Sequence, residues 1–534
     1  MKTALLSVYN KEGIADFAKE LVGMGWKILA SGGTAKALAD AGIPARDVAE
    51  IIGGGAILGH RVVTLSREVH AGLLATNSKS DKQELKRLGI PRIDLLCGDL
   101  YPLQKEINNP DSTHESVIEK TDIGGPALLR SAAKGRRIVI SDARDRCDVL
   151  DWLKKGRPNE KEFVNKLAAK AEAVVAKYCL ISAQYSSGGF YDGVIGAEAM
   201  SCKYGENARQ APAAFVSAGS EDPLAIDKFT SVAGSEPSYN NLADLDRMLQ
   251  TLTHIAAVFE LNRSYVPFIA VAVKHGNACG AAVASSPIEV IKKMVMGDTR
   301  AIFGGAVIVN FEIGDALAEL IAKYNMQNGT RRLLDFIAAQ SFSPGALKVL
   351  GRKGGKCRLV ENPSLNLVDS KKLDFQTRFR FVRGGFLKQP NYTFVLNLSD
   401  LKVEEIGRKA EAREIEDVLL AWAIGSTSNS NTITLVKCRM LIGNGVGQQD
   451  RVGACELAIK RAQDAGHDTE GAVAYSDSFF PFIDGPEILA GSGIRTIFAS
   501  SGSLRDKEVK EFCEGNDIAL YLVPDAIARG FFDH

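Results

Sequence analysis

The stretch TALLSVYNKEGIADFAKELVGMGWKILASGGTAKALADAG, residues 3–42, sets the architecture of the chain. An apolar run (TALLSVYN) leads into helically spaced apolar residues (GIADFAKELVGMGW). A second apolar run (KILASGG) and a second helical segment (TAKALADAG) follow. Strand–helix alternation at this interval predicts a parallel sheet with helices on both faces. IDLLCGDLYP (93–102) and GRRIVISDA (135–143) supply further strands. In such sheets ligands bind beyond the carboxyl ends of the strands, so the residues just after each strand are the first candidates for chemistry.

The whole chain has 534 residues, 46% of them apolar and 24% charged, a balance suited to two to four globular domains. Its 65 basic residues against 64 acidic ones offer no general polyanion surface, so nucleic acid is not an expected partner. MKTALLSVYNKEG reads as a first strand and turn rather than a secretion signal. No segment approaches the roughly 18 uninterrupted apolar residues of a membrane span. The nine cysteines are scattered without a C-x-x-C pair, which fits reduced thiols. A soluble cytoplasmic protein is the expectation. Helical EKEFVNKLAAKAEAVVAKYCLISAQY (160–185) loosens into SSGGFYDGVIGAEAM (186–200), and a domain boundary is expected there, with domains 1–197 and 198–534. The second region again mixes long helices with apolar strands.

Several stretches carry chemistry-bearing residues. ASGGTAKAL (30–38) and TDIGGPALLRSAAKG (121–135) each place glycines between a strand or loop and a helix, a geometry that presents N–H groups to an anion. Plain turns with Thr34 and Asp122 as caps are the alternative. In GHRVVTLSREVHAGLLA (59–75), Arg61 and Thr64 can hold a phosphate or carboxamide, whereas His70 reads as a satisfied helix-face histidine. PFIAVAVKHGNACGAAV (267–283) delivers a lysine and a histidine at the end of a buried strand, which packing alone does not require. LIGNGVGQQDRVGACELA (441–458) runs a glycine turn into a helix bearing Gln449 and Arg451. YSDSFFPFIDGPE (475–487) sets bulky residues between two aspartates, either as a pocket wall or as core.

Taken in order, SVYNKEGI, ASGGTAKAL, LGHRVVTL, DLYP, DIGGPALLR, KYGEN, KHGNACGAA, FGGAVIVN, GVGQQDRV, SDSFFPF and SGSLRDKEV resemble the bifunctional AICAR transformylase/IMP cyclohydrolase family of purine biosynthesis over essentially the whole chain. The resemblance implies an α/β protein with an N-terminal methylglyoxal-synthase-like parallel-sheet domain that closes the purine ring. It also implies a C-terminal transformylase region of two cytidine-deaminase-like α/β subdomains without zinc. AICAR, FAICAR/IMP and the cosubstrate 10-formyltetrahydrofolate are the implied ligands, the implied assembly is a homodimer, and there is room for a structural monovalent cation. For formyl transfer it assigns proton transfer to Lys274 and His275 and orientation of the transferring group to Asn431. Around them it places Lys203, Tyr204, Asn241, Gly304, Asp335, Arg451, Phe480, Phe482, Asp484, Ser501 and Gly502. For ring closure it assigns Tyr101, Asp122 and Lys134. Their surroundings are Ser7, Lys11, Ser31, Gly32, Gly33, Thr34, Arg61, Thr64, Ile123, Gly124 and Gly125.

The chain also departs from the family pattern. Lys203, Ala208 and Arg209 stand where the family has arginine, proline and histidine. The family's terminal Arg-x-Phe-x-His becomes ARGFFDH, with the arginine one place further from the end. In the cyclohydrolase motif Val63 replaces a lysine, Ser66 and Arg67 replace His-Pro, and Asp99 replaces an asparagine. These changes predict weak or altered ring closure. A zinc hydrolase is disfavoured because Gly276 and Asn277 follow His275 and no C-x-x-C exists. A nucleotide sensor on a degenerate catalytic body is the other rival.

Overall fold

The computed structural model describes residues 2–58, 61–327 and 329–532. The chain forms two compact units, Met1–Ile195 and Gly196–His534. In the first, five strands lie in the order Arg46–Asp47, Lys27–Ala30, Thr3–Ser7, Leu95–Gly98, Ile138–Ile140, all parallel. The central strand Thr3–Ser7 buries Ala4, Leu5 and Leu6 completely, as a strand covered on both faces must. The loops after Ser7, Ala30 and Gly98 therefore meet at one edge of the sheet.

The second unit is built on a twelve-stranded sheet made of two similar halves. Outward from the middle, one half runs Asn277–Ala284, Phe268–Lys274, Ala306–Val309, Phe336–Ala339, Arg358–Glu361, Thr230–Ala233. The other runs Met440–Gly445, Ile433–Lys437, Val473–Ser476, Thr496–Ser501, Ala519–Pro524, Glu404–Ile406. Each half starts with an antiparallel hairpin, continues through parallel strands and ends on an antiparallel edge. The halves meet at Ala282 and Met440.

Each half contributes one long central helix, Tyr239–Arg263 and Ala412–Gly425, and the two helices pack against each other. The first starts in a capping box: Ser238 Oγ accepts from the Asn241 N–H, and Asn241 Oδ1 accepts from the Ser238 N–H. Neither helix is amphipathic in the usual sense. Met248, Leu252, Ile255 and Phe259, which share one face, are fully buried, and so are His254, Ala257 and Val258 on the others. His254 stacks on Tyr392, with ring centroids 5.5 Å apart, and its Nδ1 lies 2.8 Å from the Gln250 carbonyl oxygen.

Burial lowers the His254 pKa from its usual 6.5 to about 4. The unfolded chain therefore binds a proton that the fold refuses between those values, and stability present at neutral pH falls as the pH drops through this window. The expected contribution of this group to that loss between pH 7 and 5 is about 2 kcal/mol. Urea titrations at both pH values, read by hydrogen exchange of helix Tyr239–Arg263, should show a drop that is smaller by this amount in His254→Phe.

Candidate functional site

Strand Phe268–Lys274 and strand Asn277–Ala284 form a hairpin whose two-residue turn is His275 (φ 53°) and Gly276 (φ 75°). Positive φ at both positions is the signature of a tight primed turn. A glycine suits the second position, because the left-handed region costs it nothing. The turn ends the alternation of side chains and lets Lys274 and His275 project from one tip. The Lys274 ammonium donates to the Phe303 carbonyl (2.7 Å) and lines a cavity of about 240 Å³ with His275, Asn277, Asp298, Asn444 and Arg461. His275 is exposed.

Two side chains of helix Tyr239–Arg263 hold the turn. The Gly276 N–H donates to Asp244 Oδ1 (2.8 Å), and Arg247 Nε donates to the Gly276 carbonyl (3.0 Å). Burial pushes the Asp244 carboxyl up, opposed by that N–H and by the Arg247 guanidinium. Asn277 Oδ1 accepts from the Asn429 N–H (3.1 Å), which attaches the turn to the loop carrying Asn431. The backbones of Asn431 and Gln448 exchange two hydrogen bonds, of 3.1 and 3.2 Å, and Asn431 Nδ2 donates to the Gln448 carbonyl (2.9 Å). Arg451 Nη2 donates to Asn431 Oδ1 (3.0 Å), while its Nη1 pairs with Asp477, which also accepts from Ser430 Oγ (2.6 Å). The structure thus strings Lys274, His275, Asn431 and Arg451 along one continuous chain of contacts.

In the N-terminal unit one cavity of about 780 Å³ opens at the strand ends. Ser7, Lys11, Ser31, Gly32, Gly33, Thr34, Arg61, Thr64, Tyr101, Asp122, Ile123, Gly124 and Gly125 all line it, with Val63, Asp99 and Glu119. Ser7 and Ser31 hydroxyls lie 2.7 Å apart. Asp122 Oδ1 accepts from the Gly125 N–H (2.8 Å) at the start of helix Gly124–Lys134. A side chain at Gly125 would collide with that carboxylate. Tyr178 holds the same loop, accepting from the Asp122 N–H (2.7 Å). Burial raises the Asp122 carboxyl pKa, and the nearby Asp99 adds to the effect. Burial lowers the Lys11 pKa, and its ammonium points at the Val8 and Tyr9 carbonyls. Arg61 pairs with Glu119 (2.9 Å).

The model of the AICARFT/IMPCHase bienzyme matches residues 132–461, well over half of the chain, and that of the MGS-like domain matches residues 13–127. The chain belongs to the AICARFT/IMPCHase bienzyme family. It is an enzyme of purine biosynthesis, with the family's formyltransferase and cyclohydrolase activities. A solved structure titled "Crystal structure of ForH" is 35% identical; the match covers 36% of this chain and all of that one, with a TM-score of 0.33.

The structure places the remaining residues of the resemblance as follows. Lys134 is the last residue of helix Gly124–Lys134, exposed, roughly 15 Å along the helix from Gly124 and outside the cavity lining. Phe480 is 2% exposed and packed among Cys455, Leu489 and Ile497, so it is core, not pocket wall. Phe482 is exposed, with the Arg505 guanidinium 4.9 Å from its ring centre, and Asp484 opens the next helix. Arg451 is buried, paired with Asp477 and hydrogen-bonded to Asn431. Gln449 precedes the helix, whose cap is Asp450. Asn241 caps a helix, and Asp335 pairs with Arg352 (2.8 Å). Gly304 sits on the loop after Phe303, and Ser501 ends a strand, with the Gly502 N–H on Asp506. Lys203 and Tyr204 share a loop, the ammonium 5.9 Å from the ring centre. Thr34 is not the cap of its helix; Ser31 holds that position, and the Thr34 hydroxyl is tied to Val8. His70 accepts or donates one hydrogen bond, to Ser131 (2.8 Å). Asp244 and Arg247 lie in none of the quoted motifs, and Asn277 and Asp477 lie in motifs that gave them no role.

Asp477→Ala leaves the buried Arg451 without its carboxylate. The expected cost is about 3–5 kcal/mol of stability in the C-terminal unit, measured by chemical denaturation.

Proposed function

We propose that the C-terminal unit transfers the formyl group of 10-formyltetrahydrofolate to the 5-amino group of AICAR, with the turn Lys274–His275 as its proton-transfer centre. The observation that carries this reading is the held turn, joined through Asn277 to the loop of Asn431. The amine of AICAR is a weak nucleophile because its lone pair is delocalised. As its nitrogen bonds to the formyl carbon, His275 accepts the amine proton. Lys274 polarises the carbonyl oxygen and returns a proton to the folate nitrogen as the old C–N bond breaks. Asn431, fixed by Gln448 and Arg451, orients the transferring group.

The N-terminal unit then joins the carboxamide nitrogen to the formyl carbon with loss of water. Its cavity sets Asp99, Glu119 and Asp122 against Lys11 and Arg61, the latter already paired, and Val63 adds no charge. Ser66 caps the helix Arg67–Leu74 through the Val69 N–H, and Arg67 pairs with Glu68. Ring closure is accordingly the slower step. Product analysis with AICAR and 10-formyltetrahydrofolate tests both parts. The full chain should accumulate FAICAR ahead of IMP. Val63→Lys should speed IMP formation about tenfold, and Lys274→Ala or His275→Ala should lower formyl transfer about 100-fold or more. Equal rates of both steps in the wild type would sink the slow-closure reading, and unchanged formyl transfer in both variants would sink the assignment of the turn.

The reading includes a homodimer. The hairpin Thr377–Val382/Gly385–Pro390 exposes 78% of Phe381 and 61% of Leu387, surface of the kind that marks an interface. Sedimentation should give twice the chain mass for the wild type and a shift toward monomer for Phe381→Glu; a wild-type monomer would overturn this part. A cytoplasmic location goes with it, in keeping with nine free cysteines.

A further inference from the structure

Arg247 stands at the centre of a set of contacts that formyl transfer, as read above, does not assign. From the fourth residue after Ala243 on helix Tyr239–Arg263, its guanidinium reaches three separate segments. Nε donates to the Gly276 carbonyl in the Lys274–His275 turn (3.0 Å). Nη2 donates to the Thr427 carbonyl (3.1 Å) and to Asn429 Oδ1 (3.3 Å), in the loop that leads to Asn431. Nη1 donates to the Phe532 carbonyl near the end of the chain (2.8 Å). Two guanidinium groups lie against the Phe532 ring, that of Arg247 at 4.6 Å and that of Arg378 at 4.2 Å from its centre. Arg247 is 7% exposed, so these bonds are made away from bulk water.

The second half of the sheet supplies an internal comparison. Its hairpin turn, Cys438–Arg439, also has positive φ at both residues (55° and 60°). There Asp417 accepts from the Cys438 N–H (2.9 Å) and from the Arg439 N–H. Asp417 lies six residues after the helix cap Glu411, as Asp244 lies six after the cap Ser238. A carboxylate on the turn amides is thus the fold's own way of holding such a hairpin. The position matching Arg247, nine residues after the cap, is Leu420, fully buried in the apolar core. The twin turn keeps its shape without an arginine. The arginine is an addition found only where the lysine–histidine pair sits.

We propose that Arg247 is a positioning residue for formyl transfer: it locks the Lys274–His275 turn, the Asn429–Asn431 loop and the C-terminal segment at Phe532 into one register. The proposal rests on the reading of Lys274 and His275 as the proton-transfer pair. Arg247 touches no reacting atom. It acts by fixing the backbone that carries His275 relative to the backbone that carries Asn431, so its loss lowers turnover more than binding. Lysine keeps the charge but not the fork that serves several acceptors at once.

The test uses full-length wild type, Arg247→Lys and Arg247→Met. Hydrogen exchange should quicken in residues 275–277, 427–431 and 530–532 of Arg247→Met, while the twin turn 437–440 stays unchanged. The kcat of formyl transfer should fall about 10- to 100-fold with KM for AICAR within about twofold, and Arg247→Lys should fall between the two. Unchanged exchange in the three segments, a loss confined to KM, or exchange that rises equally in the twin turn would each overturn the proposal. A wild type that makes no formylated product would instead overturn the proposed function. The exchange pattern would still decide whether Arg247 holds the three segments.

Discussion

A helix covered on every side has nowhere to send its polar side chains except into the protein. That constraint shapes the C-terminal unit. Helices Tyr239–Arg263 and Ala412–Gly425 lie against the sheet and against each other, and their interior polar residues are buried: Arg247, Gln250, Thr251, His254, Glu414 and Asp417. An unsatisfied polar group there costs about 1–3 kcal/mol, so each needs a partner. Many of the partners are main-chain groups of neighbouring segments. Gln250 donates to the Tyr392 carbonyl, Thr251 meets Thr427, Arg408 pairs with Glu414 and reaches the Arg495 carbonyl. The polar groups that a buried helix must satisfy have become the struts that set its surrounding loops.

The N-terminal unit follows a different logic. Its cavity opens where parallel strands end, and residues that line it come from loops following Ser7, Ala30 and Gly98. Asp99 shows how one substitution alters such a place. Its carboxylate accepts from the Tyr9 and Asn10 N–H groups and so keeps the loop after the first strand in place, a task an asparagine oxygen can also perform. The added charge, however, faces Asp122 and Lys11 across the same cavity. The fold tolerates the exchange, and the electrostatics of the cavity do not stay the same.

What was legible in the sequence followed from local signals. The strand–helix alternation of residues 3–42 and the end of a buried strand at Lys274 depend on neighbours in the chain and form as read, while the glycines at 32–33 and 124–125 open helices. The methylglyoxal-synthase-like unit and the family were legible because short motifs recur in order. Roles that depend on burial were not. Phe480 and Phe482 look alike in a string of bulky residues, yet one is core and the other exposed. The partner of Arg451, Asp477, lies 26 residues away and could not be read from the helix start. Asn241 is a polar residue in a suitable place, but its carboxamide oxygen closes a capping box. Arg247 carried no signal, because its partners lie 29, 180 and 285 residues further along.

That last separation has a consequence for the nascent chain. Contacts of such span close late, since the chain between their ends must first exist and then be ordered. During synthesis, domains earlier in the chain fold first. The hairpin of Lys274 and His275 can form when little more than half of the protein has left the ribosome. Its tie to Phe532 cannot. A polypeptide halted anywhere short of that residue carries the lysine and histidine on a turn that lacks one of its anchors, so this turn is among the last parts of the molecule to be finished.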